Sequence, residues 1–312
     1  MTMRRDLILP ALLFVALLAL GVYATTAERA KGAAADPTAT GSPANCESAR
    51  LISRLSLLPE ASGLAASRRF RDLFWSHNDS SDPVLYAIGG DGTIKGQVRL
   101  TGASVVDWEA ITVSECNGEI CVYVGDIGDN QVKRRTITIY RTREPAPTES
   151  ATTPIERIDA SYAEGPQDAE ALFIAKGSLF VVTKGEDAPI RIYRRPLAPG
   201  AAEGAAQSGG RVQLELVATL TDADPRKTAR ITDAAVSPNG QWVAMRTNDV
   251  VLFYPTDALL AANPGTPLVY DLAALKEPQG EGIAWADDRT LYLAGEAQGG
   301  GTFARITCAL PQ

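Results

Sequence analysis

Residues 107–130, DWEAITVSECNGEICVYVGDIGDN, hold the pattern that decides the fold. Two apolar segments flank an N-G pair at 117–118, which is a strong hairpin signal. Carboxylates stand at both outer ends of this hairpin. Asp107 and Glu109 precede or begin the first strand, and Asp126 and Asp129 follow the second. The stretch predicts two antiparallel strands whose acid-bearing ends meet.

The first half of this pattern recurs four more times. The related segments are SGLAAS (62–67), EALFIA (170–175), AAVSPN (234–239) and EGIAWA (281–286). Each is followed by a turn and by further short apolar runs. These runs are bounded by Gly, Pro and Asp, so they indicate strands, and no long helical period competes with them.

Strand counting within the repeats predicts the architecture. Four repeats have room for a fourth strand, whereas the last one reaches the end of the sequence first. The missing strand is available in ARLISRLSLL (49–58). This predicts an all-β chain folded as a β-propeller of five four-stranded blades, with one blade closed by both termini. The alternative is six blades with one hidden in 142–168 or 195–212, although neither segment contains four strands.

The N-terminal region predicts export. Arg4 and Arg5 precede the uncharged apolar run 7–24, which is typical of a signal peptide or of an uncleaved signal-anchor. Residues 25–45 are rich in Ala, Pro and Thr and predict a flexible linker. We therefore expect residues 46–312 to form the propeller, in the periplasm or outside the cell, with a possible membrane anchor at 7–24.

Four cysteines fit an oxidising compartment. Cys116 and Cys121 flank the N-G turn, and Cys46 and Cys308 stand at the two ends of the folded region. We expect these two disulfides, the second of which would staple the ring closed. A zinc site is the weaker interpretation, because the only histidine is far away in the sequence.

Propeller topology gathers acids from several blades. The start of the first strand and the end of the second open on the same face, so Asp107 and Glu109 should meet Asp126 and Asp129 at one mouth of the channel. The same mapping adds His77, Asn78, Asp79, Asp168, Glu170, Lys184, Asp233, Arg246, Glu281 and Glu296.

Crowded carboxylates repel one another, so a divalent cation, a shared proton, or pairing with Lys184 and Arg246 must compensate. Calcium suits these hard oxygen donors best, while magnesium and manganese remain open. The expected metal ligands are Asp107, Glu109, Asp126, Asp129 and Glu170. The expected ligand-binding residues are Asn78, Asp79, Asp168, Lys184, Arg246, Glu281 and Glu296.

Three of these residues are candidates for catalysis. His77 could be a general base, and Glu109 and Glu170 could act as acid and base. The alternative is structural, because Asp and Asn often serve as turn formers and the glutamates could cap exposed strand amides.

Four motifs carry a family resemblance: WSHNDS (75–80), DWEAI (107–111), VGDIGDN (124–130) and Y-R-x-x-E-P (140–145). Together they resemble a family of secreted bacterial β-propellers of unassigned function. More loosely, the chain is similar to gluconolactonase-like and phytase-like propellers, which implies calcium or another divalent metal. Their metal ligands do not match this sequence one by one, so the resemblance carries over no catalytic residue.

Two functions stay open at this point. One is a monomeric binding module for a small polar or anionic ligand, or for a cell-envelope protein. The other is a metal-dependent hydrolase, lactonase or glycosidase acting on a small polar or anionic molecule. The formal charge of −7 argues against general nucleic-acid binding, which needs a basic face.

Overall fold

The computed structural model describes residues 42–80, 82–152, 155–186, 188–197, 211–220 and 230–311. All of them belong to one compact unit, Pro37–Gln312. The expected signal segment 1–24 and residues 25–41 of the expected linker lie outside the described residues. No helix in the described part is long and apolar enough to cross a membrane.

Strands dominate the described chain. The chain begins with β1 (Ser42–Pro43) and β2 (Arg50–Leu55). The first repeat forms β3 (Ala61–Ala66), β4 (Leu73–Asn78), β5 (Val84–Gly89) and β6 (Ile94–Arg99). The second forms β7 (Trp108–Cys116), β8 (Glu119–Asp126), β9 (Ile137–Arg143) and β10 (Glu156–Tyr162).

The remaining repeats continue the series. The third forms β11 (Ala169–Ala175), β12 (Ser178–Thr183), β13 (Ile190–Pro196) and β14 (Val212–Leu220). The fourth forms β15 (Ile231–Val236), β16 (Trp242–Thr247), β17 (Val250–Pro255), the short helix α1 (Thr256–Leu260) and β18 (Leu268–Asp271). The last forms β19 (Gln279–Trp285), β20 (Thr290–Glu296) and β21 (Gly301–Thr307).

Hydrogen bonding arranges these strands as four-stranded antiparallel units. Two of the units share one eight-stranded sheet, because their outer strands β10 and β14 pair in parallel. The first strands contact one another in the cyclic order β3, β7, β11, β15, β19 and back to β3. The predicted all-β propeller is therefore confirmed. The count of five blades stays a prediction, because residues 198–210 and 221–229 lie outside the description.

Both chain ends take part in closing the ring. Strand β2 pairs antiparallel with β21 and supplies the outer strand of the last unit. Cys46 and Cys308 are disulfide-bonded beside it, and Cys116 and Cys121 are bonded across the β7–β8 hairpin. Both predicted pairings are confirmed. The expected linker ends earlier than residue 45, because β1 pairs in parallel with β18.

Apolar side chains fill the spaces between neighbouring units, and one buried carboxylate forms hydrogen bonds between the first two units. Glu144, from the Y-R-x-x-E-P motif, is fully buried, and its Oε1 accepts a 2.8 Å hydrogen bond from Trp75 Nε1. Its Oε2 accepts one from the Arg69 amide at 3.2 Å. Because Trp75 belongs to the first repeat and Glu144 follows strand β9 of the second, this motif ties two units together and lies outside the channel.

The channel has two ends of different character. We call the acid mouth the end formed by Asp107, Glu109, Glu170 and Glu281, where the first strands begin. We call the turn mouth the opposite end, where these strands run into the hairpin turns at 117–118, 176–177 and 238–240.

Candidate functional site

Every first strand contains a β-bulge near the acid mouth. In β7, Trp108 pairs with Asp126 and Ala110 pairs with Gly125, which leaves Glu109 as the additional residue. Register shifts occur at the equivalent place in the other four first strands. A bulge turns a side chain away from the regular alternation and is common beside active sites.

At the bulges, or directly before one in the case of Ser62, lies a layer of buried polar side chains that we call the bulge ring. Its members are Ser62, Glu109, Glu170, Thr232 and Glu281, each less than 10% exposed. Ser62 Oγ donates to the Glu109 carbonyl at 3.0 Å and lies 3.3 Å from Glu109 Oε2. Thr232 Oγ1 likewise donates to the Glu281 carbonyl at 3.0 Å. Hydroxyls thus support the backbone of two ring glutamates, and three carboxyl groups face one another.

Burial and mutual repulsion raise the pKa values of these three carboxyl groups. Burial raises the pKa of Glu109 well above its usual range, and the charge of Glu170 adds to the rise. Burial raises the pKa of Glu170 to about 7, although nearby Lys184 opposes the change. Burial, with the charge of Glu170, raises the pKa of Glu281 to about 8. At neutral pH the ring therefore holds both protonated and ionised carboxyl groups.

Lys184 offsets the negative charge on one side of the bulge ring. Its Nζ lies 2.6 Å from Glu170 Oε1 and 3.6 Å from Asp168 Oδ2. Burial alone would lower the pKa of the Lys184 ammonium group, but the carboxylates of Glu170 and Asp168 raise it. Asp168 Oδ1 also accepts the Asp129 amide at 2.7 Å. Asp168 and Glu170 are therefore partly neutralised within the protein.

Arg134 offsets negative charge at the loop that follows β8. Its Nη2 forms a 2.7 Å ion pair with Asp126 Oδ1, and its Nη1 donates to the Gly128 carbonyl at 2.6 Å. The Arg134 amide donates to Asp129 Oδ2 at 2.6 Å. Two of the three aspartates that we expected as metal ligands thus bind Arg134, Asp126 through its guanidinium group and Asp129 through its main-chain amide. The sequence analysis missed Arg134.

Gly128 places this loop against the carboxyl groups of Asp107 and Glu109, neither of which pairs with Arg134. A Cβ atom at this position would lie 2.6 Å from both Asp107 Oδ2 and Glu109 Oε1. A larger residue would have to displace these carboxyl groups, so Gly128 lets the loop lie directly against Asp107 and Glu109. Burial and the charge of Asp168 raise the pKa of Asp107, while Arg134 opposes the rise.

A second acidic group lies at the first and last repeats. It consists of Glu60, Asp79 and Glu296, of which the sequence analysis missed Glu60. Burial and the charge of Glu60 raise the pKa of Asp79. Burial, followed by the charges of Asp79 and Glu60, raises the pKa of Glu296 to about 7. None of the three forms an ion pair with a base in the described chain.

Asn78, another expected ligand-binding residue, braces this second group. Its Nδ2 donates to the Leu57 carbonyl at 3.2 Å, and its Oδ1 accepts the Glu60 amide at the same distance. Both bonds join the end of β4 to the segment that precedes β3, and Asn78 is 9% exposed. Asn78 therefore positions the backbone that carries Glu60.

The predicted positions of His77 and Arg246 on the rim are wrong. His77 is fully buried and lies edge-on to the Trp108 ring, with centroids 5.5 Å apart. Burial lowers its pKa to about 4, so it is not a base poised near neutrality. Arg246 is also fully buried. It donates to the carbonyls of Gly282 and Ala294 and pairs with Glu277.

Asp233 also has a structural position. It is fully buried, and its carboxyl group accepts the amides of Leu64 at 3.1 Å and of Ile283 and Ala234 at 2.8 Å each. These amides belong to the first strands of three different units. Asp233 therefore connects the strands around the channel and does not face a ligand.

The metal centre that we expected is not preformed. Within the described ranges, no three His, Cys, Asp or Glu side chains are arranged to hold a metal ion. The reason is visible in the geometry, because Asp126 and Asp129 bind Arg134 and Glu170 binds Lys184. Of the five expected ligands, Asp126 and Glu170 form ion pairs and Asp129 accepts the Arg134 amide, whereas Asp107 and Glu109 have neither kind of contact with these two bases.

Comparisons with known proteins show similarity to solved structures only. No family model and no curated protein matches the chain. One similar structure is the PQQ-bound aldose sugar dehydrogenase from Streptomyces coelicolor, with 13% identity, a TM-score of 0.49, and coverage of 86% of this chain and 100% of that one.

Two further structures show the same level of similarity. Regucalcin from Agrobacterium tumefaciens strain C58, a calcium-binding protein, has 14% identity and a TM-score of 0.43, with 86% and 97% covered. The β-propeller domain of Cps50 (Swd1) from Myceliophteria thermophila has 15% identity and a TM-score of 0.42, with 80% and 84% covered. Similarity at this level extends no ligand or activity to this chain.

Proposed function

We propose that this protein is an exported binding module whose acid mouth takes a small, positively charged polar ligand. The observation that carries the proposal is the excess of carboxyl groups over bases. Arg134 and Lys184 partly neutralise one side, whereas Glu60, Asp79, Asp107, Glu281 and Glu296 form no ion pair in the described chain. A ligand that brings positive charge lowers the free energy of this arrangement.

A divalent cation is the simplest member of this ligand class. Asp107 and Glu109 lie together beside Gly128, and their oxygens are hard donors that suit calcium or magnesium. Two carboxylates do not complete a coordination shell, so water or an organic ligand would supply the remaining oxygens. An organic ammonium group could occupy the same place by hydrogen bonding to these carboxylates.

The disulfides support the proposed compartment. Two bonded cysteine pairs fit an oxidising environment, where such bonds persist. This agrees with export directed by residues 7–24, which the basic and apolar pattern of the N-terminus indicates.

Isothermal titration calorimetry tests the binding function. Calcium chloride, magnesium chloride and 1,4-diaminobutane would be titrated into the protein at pH 6 and pH 8. We expect binding of at least one of them, with higher affinity at pH 8, because the site must lose protons to bind a cation. Glu109→Gln and Asp107→Asn should weaken binding, whereas Glu215→Gln, at an exposed ion pair with Arg194, should not. No binding by the wild type would refute the proposal.

A hydrolase is the second candidate, and the coupling of Glu109 with Glu170 favours it. Burial raises the pKa of both groups, that of Glu170 to about 7, and the hydrogen bond between the two side chains raises the pKa of Glu109 while it lowers that of Glu170. Two carboxyl groups with different proton affinities can serve as acid and base. Hydrolysis of a panel of lactones and aryl glycosides would test it. Activity that Glu109→Gln abolishes would support an enzyme, and inactivity across the panel would leave the binding function.

A further inference from the structure

The turn mouth contains a large cavity, at the opposite end of the first strands from the acid mouth. Its volume is about 1480 Å³, and it is lined by the ends of all five first strands. Apolar side chains form much of the wall, among them Ile111, Val113, Ile174, Leu197 and Val236. Small-molecule sites usually span roughly 300–1,000 Å³, so a ligand would fill part of this space.

One arginine, Arg141, lines this cavity between the second and third repeats, and a second, Arg195, is buried close to Arg141. Arg141 lines the cavity, pairs with Glu156 and lies 6.0 Å from the centroid of the Tyr123 ring. Arg195 is only 6% exposed and interacts electrostatically with the same Glu156, with Arg141 and with Tyr123. Burial lowers the pKa of Arg195, as expected for a cation that is removed from water.

The charges of this group do not balance. Arg195 Nη1 is buried without a hydrogen-bond partner among the described residues, and Glu156 Oε1 is in the same condition. Two guanidinium groups share the Glu156 carboxylate, and one positive charge remains. An uncompensated buried charge is costly, and a bound anion would offset that cost.

The other charged side chains that line the cavity do not supply that anion. Lys176 and Asp257 pair with each other. Arg68 and Glu115 are exposed at the edge. We propose that the turn mouth is a second ligand site, for a small organic carboxylate whose anionic group binds Arg141, next to the uncompensated charge of buried Arg195, and whose apolar part lies along the first strands.

Calorimetry with benzoate tests this proposal at constant ionic strength, with chloride as the balancing anion. We expect the wild type to bind benzoate more tightly than inorganic sulfate, which has no apolar part. Arg195→Met and Arg141→Met should weaken benzoate binding roughly tenfold or more, since each removes one charged partner. Arg194→Met is the matched control, because Arg194 is the adjacent residue but pairs with Glu215 at an exposed site. Its affinity should match that of the wild type.

Melting temperatures separate a ligand site from a structural ion pair. In chloride, Arg195→Met should melt no lower than the wild type, because it removes an uncompensated buried charge. Benzoate should raise the melting temperature of the wild type and not that of the variant. Arg195→Lys keeps the charge and should retain part of the response. Absence of benzoate binding in the wild type, or equal benzoate affinity in Arg195→Met and Arg194→Met, would overturn the proposal. Glu109→Gln should leave benzoate binding intact, so this outcome does not depend on the function of the acid mouth.

Discussion

The two mouths of the channel are built by the same first strands of the described units, yet they differ in chemistry and in shape. At the acid mouth, bulges gather carboxyl and hydroxyl side chains into a buried ring. At the turn mouth, the strands keep regular pairing, end in hairpin turns and enclose a cavity of about 1480 Å³. Repetition of the four-stranded unit thus produces the closed propeller. One additional residue in each first strand, at the bulge, produces the polar site at the acid mouth.

The largest expected effect concerns the charge that is buried near the acid mouth. Arg246→Met should destabilise the protein by about 3–5 kcal/mol, because Glu277 would remain buried without its partner. Lys176→Met, at an exposed ion pair of the turn mouth, should change stability by less than about 1 kcal/mol. Chemical denaturation measures both. A small effect of Arg246→Met would show that this end of the channel is more accessible to water than we describe.

A methyl group on Gly128 should disturb both stability and binding. Gly128→Ala places a Cβ 2.6 Å from Asp107 and Glu109, so we expect a loss of about 1–3 kcal/mol and weaker cation binding. Gly118→Ala at the turn mouth meets no atom within 4 Å but has a φ of 80°. It should cost about 1 kcal/mol through backbone strain alone and leave cation affinity unchanged. Equal cation affinity in both variants would contradict the assigned role of the loop.

The ring glutamates should make stability depend on pH. Glu281 binds its proton more tightly in the folded protein, where its pKa is about 8, than in the unfolded chain. Stability should therefore fall as the pH rises from about 4.5 to about 8, with Glu281 contributing on the order of 1–3 kcal/mol. The groups that face Glu281 are Glu170, Glu296, Arg246 and Gln279.

Removal of this carboxyl group gives the test. Glu281→Gln should flatten the decline in stability between pH 5 and pH 8, measured by denaturation at each pH. Glu215→Gln, at an exposed ion pair on an outer strand, should leave the slope unchanged. A slope in Glu281→Gln equal to that of the wild type would mean that the carboxyl group titrates normally.

The fold could be predicted from the sequence because strand periodicity and turn residues are local signals. The ring closure by 49–58 and both disulfides followed from the same counting. The site was harder to predict. A bulge shifts pairing by one residue without changing the apolar pattern, so the sequence showed Glu109 and Glu170 but not how they are turned.

The sequence also did not reveal which bases pair with the carboxylates or that His77 and Arg246 are buried. Arg134 stands eight residues after Asp126, and only the folded loop brings them together. Both His77 and Arg246 follow a β-strand alternation that does not reveal which space between units receives their side chains. Glu60 precedes its strand directly, as Asp107 precedes the next first strand, and this parallel was the available signal for including it.

Direct titration of the glutamate carboxyl groups tests the central claim, that the bulge ring holds protons at neutral pH and exchanges them for a cationic ligand. Carbon-13 NMR on glutamate-labelled protein would follow each group, with Glu170→Gln and Glu281→Gln used for assignment. We expect midpoints near 7 for Glu170 and near 8 for Glu281, which should fall when a bound cation is added. If both groups titrate at about 4–5, as free glutamates do, and do not respond to any cation, the account of the acid mouth is contradicted.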